Sequence, residues 1–472
     1  MLALKGRFIE VPFCFFGMGI FRVWTETLWS NNSVAFPSQA YVFTGYAALD
    51  LLMCAVLLVV VLASKRLAPL YGKRWPQVVA AVGMSLASVL TFASQSAPDL
   101  AFPLGVAAVA LGALGVAFII LLWSEFFGCL NPLRVGLCLS GGMVVGAAIL
   151  WLFKGLAFDW LAVCTTLVPL ASIGCLRRAY TFLQPDERPH SAWGSFLLPW
   201  KPVAVVALYS FAYGFCSAVF DSVLSIHSGF GVVFAGVFVY AGICIKRDGF
   251  KFSIVYLLAL PLILASFLPW GDLVPGGGAL SSFCGLGSYS LCLIVIMVIL
   301  SNLVYRYGAN ALWLFGIERI VRALSVRAGI EMDAAAGVFS SGSFDIALSV
   351  LCGIAVVVAT ALLLSEKELY SDWGMVLKQV SEEDLDAYAE RDRLDQKCAA
   401  LAQAFDLTER EREVLRLLAR KKKPRVISDE LFVASSTVKT HTRHIYRKLG
   451  VHSKQELFEL LGVDADAAQR SR

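Results

Sequence analysis

Leu407-Thr408-Glu409-Arg410-Glu411-Arg412-Glu413-Val414-Leu415 and, further on, Ser436-Thr437-Val438-Lys439-Thr440-His441-Thr442-Arg443-His444-Ile445-Tyr446-Arg447-Lys448-Leu449-Gly450-Val451 decide how the C-terminal part of this chain is read. Thr408-x-x-Glu411 is a capping box, in which each side chain satisfies an orphan backbone N–H of a first helix. Val414, Leu415 and Leu418 give that helix an apolar stripe. Pro424 suits the first turn of a second helix, where its missing N–H is harmless, and Ile427 and Leu431 are its core contacts. A second box, Ser453-x-x-Glu456, opens a fourth helix, and Gly450 ends the one before it. Four short helices are predicted between 408 and 462.

The third of these, over about 435–449, carries the chemistry. With Val438 at the centre of its buried face, Ile445 and Leu449 fall beside it at helical spacing. Ser436, Thr440, Arg443 and Arg447 then form the opposite face, with Lys439 on its flank. An apolar back and a basic front suit a helix that enters the major groove of duplex DNA. Residues 420–454 hold ten Lys/Arg against two Asp/Glu, a net charge of +8 facing phosphate.

These residues resemble the LuxR-type helix-turn-helix over about 50 positions. The resemblance implies a four-helix DNA-binding domain in which Lys439, Thr440 and Arg443 approach bases and Thr437 helps hold phosphate. Two positions depart from the family pattern. The glycine usual between the first and second helices is replaced by Arg420-Lys421-Lys422-Lys423, and the usual serine cap of the recognition helix by Ala434, leaving Ser435 as a substitute cap one residue later. His441, His444 and His452 lack zinc-ligand spacing and belong to the polar and packing surface.

Upstream, residues 381–405 carry Leu385, Ala389, Leu394, Cys398, Leu401 and Phe405 between charged residues, the pattern of an amphipathic helix with Ser381 as its cap and Asp384 in its first turn. It is either a dimerising seam or a helix packed on the next domain.

Further back the composition changes. The chain of 472 residues is 58% hydrophobic and 16% charged, with a mean hydropathy of +0.72. Soluble domains carry roughly 25% charged residues, so the balance is that of a polytopic membrane protein. The apolar runs at 8–29, 39–64, 76–95, 101–123, 133–153, 156–176, 202–221, 229–246, 252–270, 280–305, 309–326 and 343–364 are predicted spans, each near the roughly 20 residues a bilayer requires. The polar, proline-bearing stretch 177–201 divides them six and six. The run after Lys5 and Arg7 lacks a cleavage site and is read as a retained first span. Eleven of the twelve cysteines lie in or beside apolar runs and no C-x-x-C occurs, so they are expected to be small buried hydrophobes.

Lys and Arg placement orients the bundle. With the N-terminus inside, the inner loops hold fifteen Lys/Arg and the outer loops only Lys154 and Arg327, a strong positive-inside bias. An even number of spans returns the C-terminus to the cytoplasm. Six plus six spans with a cytoplasmic central loop resemble the major facilitator superfamily over residues 8–364. In its G-x-x-x-D-R-x-G-R-R loop, Gly72, Lys73 and Arg74 match the end of the pattern, but Pro69 and Leu70 stand in place of the Asp-Arg pair that helps gate family members. That loss argues against active transport.

Charges within spans are costly, by about 2.5–3.5 kcal/mol on insertion scales, and mark packing pairs or a functional cavity. Arg22 and Glu26 share one face of the first span, Glu318 and Arg322 one face of the eleventh with Arg319 beside them, and Asp50 and Asp345 add acids in the second and twelfth. They are either ion pairs that set helix register or, with Trp24, Trp29, Tyr209, Tyr213 and Trp313 as walls, a central site between the two halves for a polar or anionic small molecule. Gly142-x-x-x-Gly146, Gly112 and Gly115 are assigned to close helix packing.

The expected protein is all-α: a twelve-span transmembrane sensor bundle (1–364), a cytoplasmic connector (365–405) and a four-helix DNA-binding domain (406–472). The expected function is a one-component, membrane-embedded transcriptional regulator. Its expected partners are double-stranded DNA, the lipid bilayer, an unidentified small-molecule ligand at Arg22, Glu26, Asp50, Glu318, Arg319 and Arg322, RNA polymerase, and a second copy in a homodimer. The alternative is a secondary transporter with a regulatory DNA-binding tail. No phospho-receiver precedes the tail, no nucleophile–base set or metal spacing points to an enzyme, and no cofactor is expected.

Overall fold

A computed structural model describes residues 11–30, 46–183, 198–215, 226–246, 252–268, 277–339 and most of 351–358, then 394–462 except 395, 396, 399, 400, 403, 420 and 432, with isolated positions at 189 and 250. The chain divides into two compact units, Met1–Lys378 and Gln379–Arg472.

The first unit is built of helices: α1 (Gly17–Thr25), α2 (Tyr46–Leu62), α3 (Arg74–Ser96), α4 (Ala101–Phe127), α5 (Pro132–Phe153), α6 (Phe158–Tyr180), α7 (Trp200–Phe215), α8 (Ile226–Lys246), α9 (Phe252–Ser266), α10 (Gly277–Tyr307) and α11 (Ala311–Phe339). Helical turns at Phe13–Phe16 and Glu26–Ser30 extend α1 at both ends. Among the described residues, six helices are long and apolar enough to cross a bilayer, and α2 and α9 are shorter apolar helices. Their outer faces carry exposed Leu58, Val59, Leu62, Val82, Trp151 and Ile245. So large an apolar surface suits lipid and not water. This is a membrane protein.

The helices pack in a repeating order. α1 lies on α5 as α7 lies on α11; α2 and α3 lie on α4 as α8 and α9 lie on α10. The contacts between the two sets obey the same rule, since α2 meets α11 as α8 meets α5, and α4 meets α11 as α10 meets α5. For these contacts a shift of six in helix number, counted cyclically over twelve, carries one onto the other, the packing signature of two parallel repeats. At the α1–α5 crossing a Cβ on Gly19 would collide with the Gly142 carbonyl. At the corresponding α7–α11 crossing a Cβ on Gly214 would collide with the Val326 carbonyl. Without side chains at these points the backbones approach directly.

The structure departs from the expected spans in one clear place. The eleventh was read as 309–326, whereas α11 continues to Phe339. The charges Arg327, Glu331 and Asp333 made its second part look like a loop, but Arg327 and Glu331 pair at i,i+4 along the continuing helix. Of the twelfth span, helix is described at 351 and 353–358. Asp345, Lys5, Arg7 and the connector residues Ser381, Asp384, Leu385 and Ala389 lie outside the described residues.

The second unit contains α12 (Glu409–Ala419), α13 (Pro424–Glu430), α14 (Ser435–Leu449) and α15 (Lys454–Leu461). Its core unites Val414, Leu415, Leu418, Ile427, Val438, Ile445, Leu449, Leu457 and Leu461 with Cys398 and Ala402 from the end of the connector. That end is therefore packed against the four helices, and Lys397 Nζ donates to the Leu461 carbonyl at 3.0 Å. Each such buried aliphatic side chain contributes about 1.5–3 kcal/mol to holding the unit together.

A basic helix face and a charged cluster within the bundle

In the second unit the basic helix is held by its neighbours. Thr408 N–H donates to Glu411 Oε2 at 2.9 Å and Glu411 N–H to Thr408 Oγ1 at 3.3 Å, the reciprocal box that starts α12. Glu411 also accepts from Lys448 Nζ at 2.8 Å, and His444 Nδ1 lies 3.7 Å away. Burial pushes the Glu411 carboxyl up, but the hydrogen bonds from Lys448 and Thr408 outweigh it and hold the group below the usual glutamate range. At the other end of the unit Ser453 Oγ accepts from Glu456 N–H at 3.1 Å, and Glu456 accepts from His452 N–H at 2.8 Å. Gly450, in the left-handed region at φ 68°, closes α14.

Val438, Ile445 and Leu449 are the buried back of α14. Ser436, Lys439, Thr440, Arg443 and Arg447 are exposed, with Thr437 half-buried at the edge. Lys439, Arg443 and Arg447 form no ion pair among the described residues, so their charges remain available for an external anion. Thr440 Oγ1 donates to the Ser436 carbonyl at 3.0 Å, which leaves its lone pairs outward. The expectation that Ser435 caps α14 is corrected: it is the first helical residue, and its hydroxyl meets Ser428 Oγ of α13 at 3.0 Å. Ala434 occupies the cap position without a side-chain hydrogen bond. The first N–H groups of α14 thus keep their partial positive charge at the end where Thr437 and Ser436 lie, favourable for a phosphate oxygen. Where the family glycine was missing, Lys421 adopts φ 58° and lays its Nζ 5.6 Å from the Phe458 ring centre.

Within the first unit, Arg22 Nε and Glu26 Oε1 are 3.2 Å apart on one face of α1, and both are partly exposed. On α11, Arg322 Nε is 2.8 Å from Glu318 Oε1. Asp50 is not alone on α2: its carboxylate lies 3.8 Å from Arg319 Nη2, across the contact between the two repeats. The structure therefore brings Asp50, Glu318, Arg319 and Arg322 into one cluster at the α2–α11 contact, while Arg22 and Glu26 sit on α1, which packs on α5 and α6.

The proposed aromatic walls divide. Trp24 and Tyr209 are wholly buried in the core, and Trp24 Nε1 donates to Ser88 Oγ at 2.7 Å, so Trp24 is engaged in packing. Trp29 is buried as well, while Trp313 is half-buried. Tyr213 is half-buried and stacks on Tyr289 with ring centres 4.5 Å apart, joining α7 to α10. Tyr289 had no distinguishing signal in a serine-rich apolar run. Glu125 was also missed: buried near the end of α4, it accepts from the N–H groups of Leu70 and Tyr71 at 2.9 and 2.7 Å. It thereby holds the loop from which the Asp-Arg pair is absent.

A family model described as bacterial regulatory proteins, luxR family, matches residues 406–461. The spore germination protein GerE of Bacillus subtilis is 45% identical over 56 residues, which cover 12% of this chain and 76% of GerE. A protein named as an HTH-type transcriptional regulator of Mycobacterium tuberculosis is 38% identical over 80 residues, 17% of this chain. The chain spans only 9% of the length of that mycobacterial relative. Among solved structures, a human organic anion transporter is similar at a TM-score of 0.48 and 15% identity, covering 74% of this chain and 88% of the transporter. A fucose:proton symporter of E. coli is similar at 0.48 and 12%, covering 75% and 96%.

Proposed function

Because the chain belongs, through residues 406–461, to the luxR family of bacterial regulatory proteins, we propose that it is a one-component transcriptional regulator embedded in the cell membrane, whose bundle senses a small molecule. The observation that carries this reading is the exposed, unpaired basic face of α14 in the same chain as a lipid-compatible helix bundle. Lys439, Thr440 and Arg443 read bases, and Ser436, Thr437 and Arg447 hold the backbone. The positive-inside bias supports twelve spans with both termini cytoplasmic, where the tail reaches the chromosome. A small polar or anionic ligand at the interface between repeats, near Arg22 and Glu26 or the Asp50–Arg319 contact, would shift the bundle between two arrangements and alter the DNA affinity of the tail. Pairing of two copies and engagement of RNA polymerase complete the scheme.

Replacing Arg443 by Ala is expected to abolish control of a reporter gene while leaving membrane insertion intact, and unchanged reporter output would refute the reading face. Arg22→Met is expected to remove the response to an inducing compound, found by a reporter screen, without altering basal DNA binding. The second reading, a working transporter with a regulatory tail, is favoured by the two-repeat packing and disfavoured by Pro69 and Leu70 in the gating loop. Substrate uptake into vesicles that survives deletion of 407–472 and fails on Glu26→Gln would select it.

A further inference from the structure

A cavity of about 520 Å³ lies where the loop before α3, the start of α3 and the end of α6 converge, lined among others by Tyr71, Arg74, Gln77, Arg177, Tyr180 and Thr181. Among the described residues, no acidic side chain lines it. Two arginines, Arg74 and Arg177, therefore line one space in which no described carboxylate neutralises them. The acid near this loop, Glu125, is already engaged by the N–H groups of Leu70 and Tyr71.

Two neighbouring cations are occupied elsewhere. Lys73 Nζ donates to the Leu67 carbonyl at 2.6 Å, and the Arg178 guanidinium sits 5.6 Å from the Phe182 ring centre. Arg177 differs: its Nε donates to Gln77 Oε1 at 2.6 Å, which fixes the plane of the guanidinium and leaves its terminal nitrogens for another acceptor. Arg74 forms no hydrogen bond or ion pair among the described side chains. It also begins the 23-residue helix α3, whose cap position, Lys73, supplies no side-chain acceptor to the first N–H groups. Tyr71 and Tyr180, with ring centres 4.4 Å apart, form a rigid wall.

We infer that this cavity binds a phosphate-bearing anion between Arg74 and Arg177, either the headgroup of an anionic lipid or a phosphate compound free in solution. Forked guanidinium groups match phosphate oxygens two by two, which a lysine cannot do, and the end of a helix adds favourable potential. The volume fits a headgroup or a small phosphorylated molecule. The site is formed by residues of the first unit alone, so it does not depend on the DNA-binding reading.

The test uses the full chain purified in detergent, with native mass spectrometry reporting how much phosphatidylglycerol or phosphatidylcholine stays bound. Wild type should retain phosphatidylglycerol preferentially. R74Q/R177Q should retain about tenfold less, the effect of losing charge-assisted bonds of this kind. K65Q/R66Q removes two exposed cations from the preceding loop and should retain as much as wild type. If inorganic phosphate displaces the lipid from wild type in proportion to its concentration, the site recognises phosphate itself. If it does not, the site needs the headgroup on its acyl chains. Where wild type shows no lipid preference, calorimetric titration with inorganic phosphate should still give saturable heat that R74Q/R177Q lacks. Should R74Q/R177Q not run as a monodisperse peak, R74K/R177K keeps the charge, loses the forks and should show a partial loss. Equal loss in R74Q/R177Q and K65Q/R66Q, full retention in the folded variants, or neither lipid preference nor phosphate heat in wild type each overturns the inference.

Discussion

Glu411 and Lys448 meet at 2.8 Å across 37 residues of sequence, tying the first turn of α12 to the last turn of the helix that presents Lys439 and Arg443. The carboxylate is buried and the ammonium is at the C-terminal end of α14, where a cation is also favoured by the helix dipole. One contact thus serves the cap, the packing angle and the charge balance of α14.

Removing that carboxylate has a pH-dependent consequence. The Glu411 carboxyl titrates below its ordinary range in the folded unit, so its stabilising effect is present above the unfolded glutamate pKa, near 4.3, and is lost as pH falls through the lower folded value. Glu411→Gln should lower the thermal midpoint of the C-terminal unit at pH 7, by roughly 1–3 kcal/mol of stability. The difference from wild type should shrink toward pH 3. A constant difference across that range would show that the charge is immaterial.

The basic face should separate into two kinds of contact. Arg447→Ala should weaken binding to all duplexes alike and reduce the slope of log affinity against log salt by about 1. Arg443→Ala should also cost about 1–3 kcal/mol of discrimination between operator and mismatched duplexes. Titrations at several salt concentrations distinguish them; identical profiles for the two variants would contradict the division of roles.

Asp50 and Arg319 form a pair across the two repeats, each about 15% exposed or less. Arg319→Met leaves Asp50 without this partner and should cost about 3 kcal/mol, whereas D50N/R319M should recover most of the loss. Melting of the detergent-solubilised protein reads both. If the double variant is as unstable as the single, the pair is not the source of the effect.

The glycine crossings should tolerate no enlargement. Gly19→Val and Gly214→Val each place atoms against a facing backbone carbonyl and should cost about 1–3 kcal/mol or block folding. Gly174→Ala, where a Cβ meets nothing within 4 Å, should leave the melting temperature within a degree or two of wild type. Equal effects at all three positions would remove close approach as the cause.

The recognition helix was legible because its period of apolar residues and its charges are local: Val438, Ile445 and Leu449 at helical spacing left Arg443 and Arg447 on the other face, as the structure places them. Ser435 was misread as a cap because Ser428 of α13, its hydroxyl partner, belongs to the preceding helix. The family glycine missing near Lys421 was visible, but its consequence was not: a left-handed lysine, costing roughly 1–2 kcal/mol, laid against Phe458. In the bundle, Arg22–Glu26 and Glu318–Arg322 were foreseen because i,i+4 pairs lie along one helix.

By itself the sequence determined the composition of each unit, the period of each helix, the capping boxes and the family of the tail, all of which depend on residues within a turn or two of each other. Only the tertiary structure decided that Asp50 answers Arg319, that Glu125 holds the loop at Leu70 and Tyr71, and that Trp24 packs instead of lining a site. The reason is physical. In an apolar bundle the pattern of hydrophobicity is nearly uniform around each helix, so it specifies that a helix is buried but not which neighbour it meets; close backbone approach and a few buried polar contacts make that choice.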